Sequence, residues 1–187
     1  MRRSRDETHR RILDAAYGLF LRQGFLRVSM DEIAARAGIT KRAMYQHFRS
    51  KDDLMAAALA QSSELAIQRL EQFKRPATAA ELIDTFFSDL AEWAAKPRWA
   101  GGGFTRVAVE LADLRGHPAR AIARKHKAAV EAWLADGLTA AEVAFARDRA
   151  REIMLLMEGA MALMLIHGNR DFANAAARAA KTLVRQS

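Results

Sequence analysis

The sequence predicts an all-α fold of about nine helices: a small basic domain with a helix-turn-helix, then a larger helical domain. Three observations carry this. Helix punctuation recurs: Ser4/Glu7, Ser29/Glu32, Thr78/Glu81 and Thr139/Glu142 have capping-box spacing, and Ser50/Asp53 is a weaker version. No segment alternates β-branched residues with period two, and only 3 prolines interrupt a chain rich in Ala and Leu. The charge is uneven. Residues 1–51 hold 12 basic and 5 acidic residues, whereas residues 52–187 hold 18 and 17, so nearly all of the net +8 sits in the first quarter.

The stops are Gly24, Gly38, Pro76, Pro97, Gly116-His117-Pro118, Gly137 and Gly168-Asn169. With the caps they predict helices over roughly 5–23, 30–37, 41–47, 51–74, 79–95, 102–115, 118–136, 140–167 and 171–185. The first helix carries an apolar stripe, Ile12, Leu13, Ala16, Leu19 and Phe20, opposite Arg5, Arg10, Arg11 and Arg22. Ser29 opens a two-turn second helix, with Val28 and Ile33 at the spacing of a hydrophobic staple. Gly38 supplies the tight turn. Thr40 caps the third helix, with Ile39 and Met44 as a second staple. Two short helices joined by a glycine turn make a helix-turn-helix over about 29–47. The charge step divides the chain into a helix-turn-helix domain, 1–50, and a second domain, 51–187.

Several chemistries are excluded. Without cysteine there is no disulfide, thiolate zinc site or cysteine nucleophile. The basic start, MRRSRDETHRR, leads into no clean apolar run, so it does not read as a secretion signal. The most apolar stretch, Ile153 to Ile166, is 14 residues with Glu158 inside it, short of the ~20 that span a bilayer. No membrane partner is expected, and the location expected is cytoplasmic. None of the five histidines has HExxH spacing, and no nucleophile elbow or phosphate-binding glycine loop occurs. The chain is therefore expected to be no enzyme and to need no cofactor or metal. Glu110, Asp113 and His117 share a helix face as a polar face or an anchoring cluster.

A concentrated basic segment is the footprint of a polyanion partner. In a helix-turn-helix the second helix enters the major groove. Here its exposed side chains are Lys41, Arg42, Gln46 and Tyr45. Arg and Lys suit guanine edges or phosphates, and Gln suits adenine. Lys51 opens the following helix, where another phosphate could sit, and Ser29 at the start of the second helix joins the candidate DNA-binding set.

Residues 8–54 resemble the N-terminal domain of the TetR family of bacterial one-component regulators. The stretch Met30 to Leu54 carries the resemblance through its Ile-Ala-x-x-Ala-Gly, Tyr-x-x-Phe and Ser-Lys-x-x-Leu elements. Ile12-Leu13-Asp14-Ala15-Ala16, Phe20 and Gly24-Phe25 look like that family's first helix. The resemblance implies a homodimer, a palindromic double-stranded operator and a C-terminal ligand-binding and dimerisation domain. It also implies phosphate or base contacts by Thr40, Lys41, Tyr45, His47 and Lys51.

The larger domain holds Phe86, Trp93, Trp99 and Phe104, then Met154, Met157 and Met161 along one helix. These, with Glu110 and Glu158, are the candidate ligand residues, because methionines repack and interhelical pockets take small molecules. Each apolar member also reads as plain core. Glu158 is open to three roles: facing a pocket, bonding across a dimer, or reaching solvent. The last two helices, with small residues at Ala173, Ala176, Ala177 and Ala180, form a candidate dimer surface. The reading is a dimeric repressor released from its operator by a small, mainly hydrophobic effector. An activator or ligand-independent regulator is the alternative, and a small-molecule enzyme a distant third.

Overall fold

The computed structural model describes residues 4–73, 77–97 and 99–185. Among these lie nine helices and no strand: α1 (Arg5–Gln23), α2 (Met30–Ala37), α3 (Lys41–His47), α4 (Lys51–Glu71), α5 (Ala79–Ala94), α6 (Gly103–Glu110), α7 (Pro118–Ala140), α8 (Ala146–His167) and α9 (Asp171–Arg185). The all-α expectation holds. Caps work where the spacing puts them: the hydroxyls of Ser4, Ser50 and Thr78 accept the backbone N–H of Glu7, Asp53 and Glu81 at 3.0–3.2 Å. The stop expected at Pro76 lies outside the described residues.

The largest departures from the expected boundaries are at the end of α6 and between α7 and α8. α6 ends at Glu110, five residues early. The cap expected at Thr139/Glu142 does not form. Instead α7 runs through Gly137 to Ala140, and the Thr139 hydroxyl donates back to the Ala135 carbonyl at 2.8 Å. Gly137 is needed inside the helix, because a Cβ there would come within 2.7 Å of Leu82. The turn is then made by Glu142 and Phe145, both at positive φ, and α8 starts at Ala146.

The chain forms two compact units. The first comprises residues 1–66 and 102–126, the second 67–101 and 127–187. Helices α4 and α7 therefore each contribute to both, and the charge step at residue 50 falls inside the first unit. Its core joins Ile12, Ala16 and Phe20 of α1, Phe25 and Val28, Ile33 of α2 and Met44 of α3 to Leu54 and Leu59 of α4, and to Phe104, Val107 and Leu111. Gly103 lets α6 approach α1 closely, since a Cβ there would meet Tyr17 and Leu21 at 2.9 Å. His126 is buried with its ring stacked on Phe104 at 3.7 Å and its Nδ1 3.0 Å from the Ser63 hydroxyl.

The second unit packs α5, α8 and α9 with parts of α4 and α7 around Leu82, Ile83, Phe86, Phe87, Leu134, Leu138, Ile153 and Met164. Ala173, Ala176, Ala177 and Ala180 are buried in this core, so they are not an outward face for a second copy. Small side chains here let α9 approach its own neighbours α5 and α8. No helix among the described residues is long and apolar enough to cross a membrane.

Candidate nucleic-acid interface

The helix-turn-helix is fixed by local chemistry. At the start of α2 a complete capping box forms: the Ser29 hydroxyl accepts the Glu32 N–H at 3.2 Å, and Glu32 Oε2 accepts the Ser29 N–H at 2.8 Å. Those bonds and the nearby Lys51 charge hold the Glu32 carboxyl below its ordinary pKa. At the end of α2, Gly38 adopts φ 64° and ψ 42°. Its N–H donates to Ala35 and that of Ile39 to Ala34, a Schellman stop. The Thr40 hydroxyl then accepts the Ala43 N–H at 3.2 Å and opens α3. Both staples form, with Val28, Ile33 and Met44 fully buried and Ile39 packed against them.

This frame presents one face of α3. Arg42, Tyr45 and Gln46 are exposed, while Met44 points inward, as α-helical spacing requires. Lys41 is exposed at the helix start and pairs with Asp31 at 3.0 Å, which raises its pKa. With both partners more than half exposed, that pair contributes little and is free to exchange for phosphate. His47 is half-buried, 5.8 Å from the His9 ring. Burial, with His9 and Arg5 nearby, pushes its imidazole pKa down, so it is neutral at pH 7.

Like Thr40 and Lys41, the predicted contacts Ser29 and Lys51 have partners within the protein. The Ser29 hydroxyl is occupied by the capping box, also donating to Glu32 at 2.8 Å. Lys51 Nζ donates to the Leu26 carbonyl at 2.7 Å. Partial burial lowers the Lys51 pKa, against the opposing charges of Asp52, Glu110 and Glu32.

The α1–α2 loop is also gripped from α6. Glu110 Oε2 accepts the N–H of Phe25 at 2.7 Å and of Leu26 at 3.1 Å. Arg106 bonds Glu110 Oε1 at 2.7 Å and donates to the Leu21 carbonyl at 2.5 Å. Burial raises the Glu110 pKa, but the Arg106 hydrogen bond, the two backbone N–H groups and the Arg106 charge together bring it below the ordinary value. Sequence reasoning missed this clamp. The i,i+4 spacing of Arg106 and Glu110 signals a pair, but not a loop 85 residues away.

The candidate ligand residues are divided between the two units. Phe104 and Glu110 belong to the first unit, and the others to the second. Glu110 serves the clamp, and His117 pairs with Asp52 at 3.3 Å, so the Glu110/Asp113/His117 cluster is not assembled. No metal-binding group of side chains occurs among the described residues. Phe86, Met154, Met157 and Met161 are buried in the second core. Glu158 is tied to Lys127. Trp93 and Trp99 meet edge to face at 5.6 Å, and Trp99 lines a cleft of about 310 Å³ with Met164 and Arg170.

The sequence profile of the family described as "Bacterial regulatory proteins, tetR family" matches residues 12–58, which span the stapled frame, the glycine turn and all of α3. Residues 12–58 carry a TetR-family regulatory domain. The chain is 44% identical over 55 residues to the HTH-type transcriptional regulator SrpR of Pseudomonas putida, covering 29% of this chain and 26% of that one. It is 39% identical over 74 residues to the HTH-type transcriptional activator FasR of Mycolicibacterium smegmatis, covering 40% and 34%. These matches span only about a quarter to a third of the curated relatives' own length. Along the whole chain, the crystal structure of sav143 from Streptomyces avermitilis superposes with a TM-score of 0.77 at 27% identity, covering 93% of this chain and 98% of that one.

Proposed function

We propose that this protein is a DNA-binding transcriptional regulator that acts as a homodimer on a palindromic operator and leaves it when a small, mainly hydrophobic molecule binds. The carrying observation is the exposed Arg42, Tyr45 and Gln46 face of α3, held by a frame whose own polar groups are internally satisfied. Lys41 and Thr40 flank this face as phosphate donors, with His47 and Lys51 at its margins. On this reading residues 1–50 read DNA, residues 51–187 sense and dimerise, and the protein works in the cytoplasm beside the chromosome. It performs no catalysis; the relatives it matches are regulators.

The dimer surface proposed is the outward stripe of α8, not the buried alanines of α9. Leu155 and Ile166 are 70% and 72% exposed, and Gly159, Ala162 and Leu163 between them are exposed too. Exposed Ala175 and Ala179 of α9 extend this apolar, close-approach surface. Two-fold pairing would set recognition helices about one DNA turn, ~34–36 Å, apart. The effector is proposed to enter the second unit near Trp93 and Trp99, binding the DNA-free state more tightly, as a population shift requires.

Activation is the second reading, favoured by the similarity to FasR, which is named an activator. The deciding experiment selects duplexes from a random pool with the full chain, then footprints the winners. A palindromic consensus is expected. Enrichment without two-fold symmetry refutes the dimeric reading, and no enrichment refutes DNA recognition. Transcription with and without the chain then gives the sign.

A further inference from the structure

A second cationic feature lies outside α3. Arg11, Gly18 and Arg22 of α1 and Arg36, Ala37 and Gly38 at the end of α2 line a cleft of about 360 Å³. Two guanidiniums lie against glycines on its wall. A Cβ on Gly18 would lie 3.3 Å from Arg22, and one on Gly38 would lie 3.1 Å from Arg11. Arg11 is anchored by donating to the Ala37 carbonyl. Arg22 and Arg36 are exposed and make no hydrogen bond or ion pair among the described residues. The one acid in the cleft, Asp14, accepts a hydrogen bond from Gln61 at 2.7 Å.

Three cations against one acid in a concave site repel one another unless an anion joins them. Guanidinium forks match phosphate oxygens in pairs, and one fork is already held in place. The geometry points to a phosphate-binding site in this cleft, formed by Arg11, Arg22 and Arg36 and separate from the recognition face. It takes a phosphate group of high charge, carried either by a free oligophosphate or by the backbone of a bound duplex. Only the duplex source rests on the DNA-binding reading above.

The test uses the full chain, Arg22→Ala/Arg36→Ala, and Arg115→Ala/Arg124→Ala as an equal loss of charge elsewhere in the same unit. Arg22→Lys/Arg36→Lys keeps the charge but removes the forks. Thermal melts establish that each variant folds. Calorimetric titration with inorganic tripolyphosphate is one arm. Duplex binding across a salt series is the other. If the source is a free oligophosphate, tripolyphosphate affinity falls at least tenfold in Arg22→Ala/Arg36→Ala, less in the lysine variant, and under twofold in the control. If the source is the duplex, the salt dependence of log K becomes shallower by about 1.8, the loss of two phosphate contacts, in the first variant only. Arg22→Ala/Arg36→Ala matching the control in both arms overturns the site. A chain that binds tripolyphosphate through the cleft but no duplex refutes the DNA reading and leaves the site standing.

Discussion

Replacing Glu110 by Ala isolates the clamp between α6 and the α1–α2 loop. The carboxylate accepts two backbone N–H groups and one guanidinium N–H. Leu26 is exposed, so water replaces the acceptor lost there. Phe25 is fully buried, and an unmet buried donor costs about 1–3 kcal/mol. The Arg106 pair, with side chains 34% and 22% exposed, adds about 0–1 kcal/mol. The total is about 2 kcal/mol. For a chain of this size that lowers Tm by about 4–8 °C. Glu110→Gln keeps one amide oxygen as acceptor and should lose about half as much. Scanning calorimetry at pH 7 measures both. The pH dependence has a definite sign. A carboxyl whose folded pKa is depressed stabilises above its unfolded value and loses that contribution as pH falls through the folded value. The gap between parent and Glu110→Ala should therefore close below the ordinary carboxylate pKa of 4.5. A Glu110→Ala protein melting within about 1 °C of the parent at pH 7 refutes the reasoning.

Three further outcomes are expected. Lys51→Ala should make the salt dependence of duplex binding shallower by about 0.9, as one phosphate contact requires; an unchanged slope by anisotropy assigns Lys51 to the Leu26 carbonyl alone. The His47 ring should titrate below 6.5 by NMR, because burial, His9 and Arg5 disfavour its charged form; the unfolded chain then takes up that proton first, so this group weakens folding as pH falls through 6.5. A midpoint above 6.5 contradicts that environment. Leu155→Asp/Ile166→Asp should sediment as a folded monomer whose Tm no longer depends on protein concentration, since both positions are exposed in the single chain; a variant that stays dimeric moves the interface elsewhere.

The first three helices were legible because their determinants are local. Ser4, Ser29 and Thr40 act on N–H groups three residues ahead, and Gly38 on carbonyls just behind. The exposed α3 face followed from helical spacing alone. Gly137 and Thr139 misled because their roles are set by packing against Leu82 and by back-bonding within α7. The alanines of α9 carry a pattern that suits any close helix approach, and only the fold shows that the neighbours are α5 and α8. The candidate ligand residues were chosen by side-chain type, and they are drawn from both units. The second roles of Lys51 and Glu110 rest on contacts far apart in sequence, for which no spacing rule exists.

The core of the first unit has a consequence for recombination. Phe104, Val107, Leu111, Ala119 and Ala123 lie in the same buried cluster as Phe20 and Met44. A headpiece cut at residue 50 and transplanted onto a foreign sensor would leave behind these five buried side chains and both clamp residues. Its stability in the chimaera would then depend on whether the host's α6 counterpart supplies an equivalent apolar face and an acid for the Phe25 amide. On the proposed reading, operator specificity would be exchanged more simply at the exposed positions of α3, where side chains can change without disturbing that shared interior.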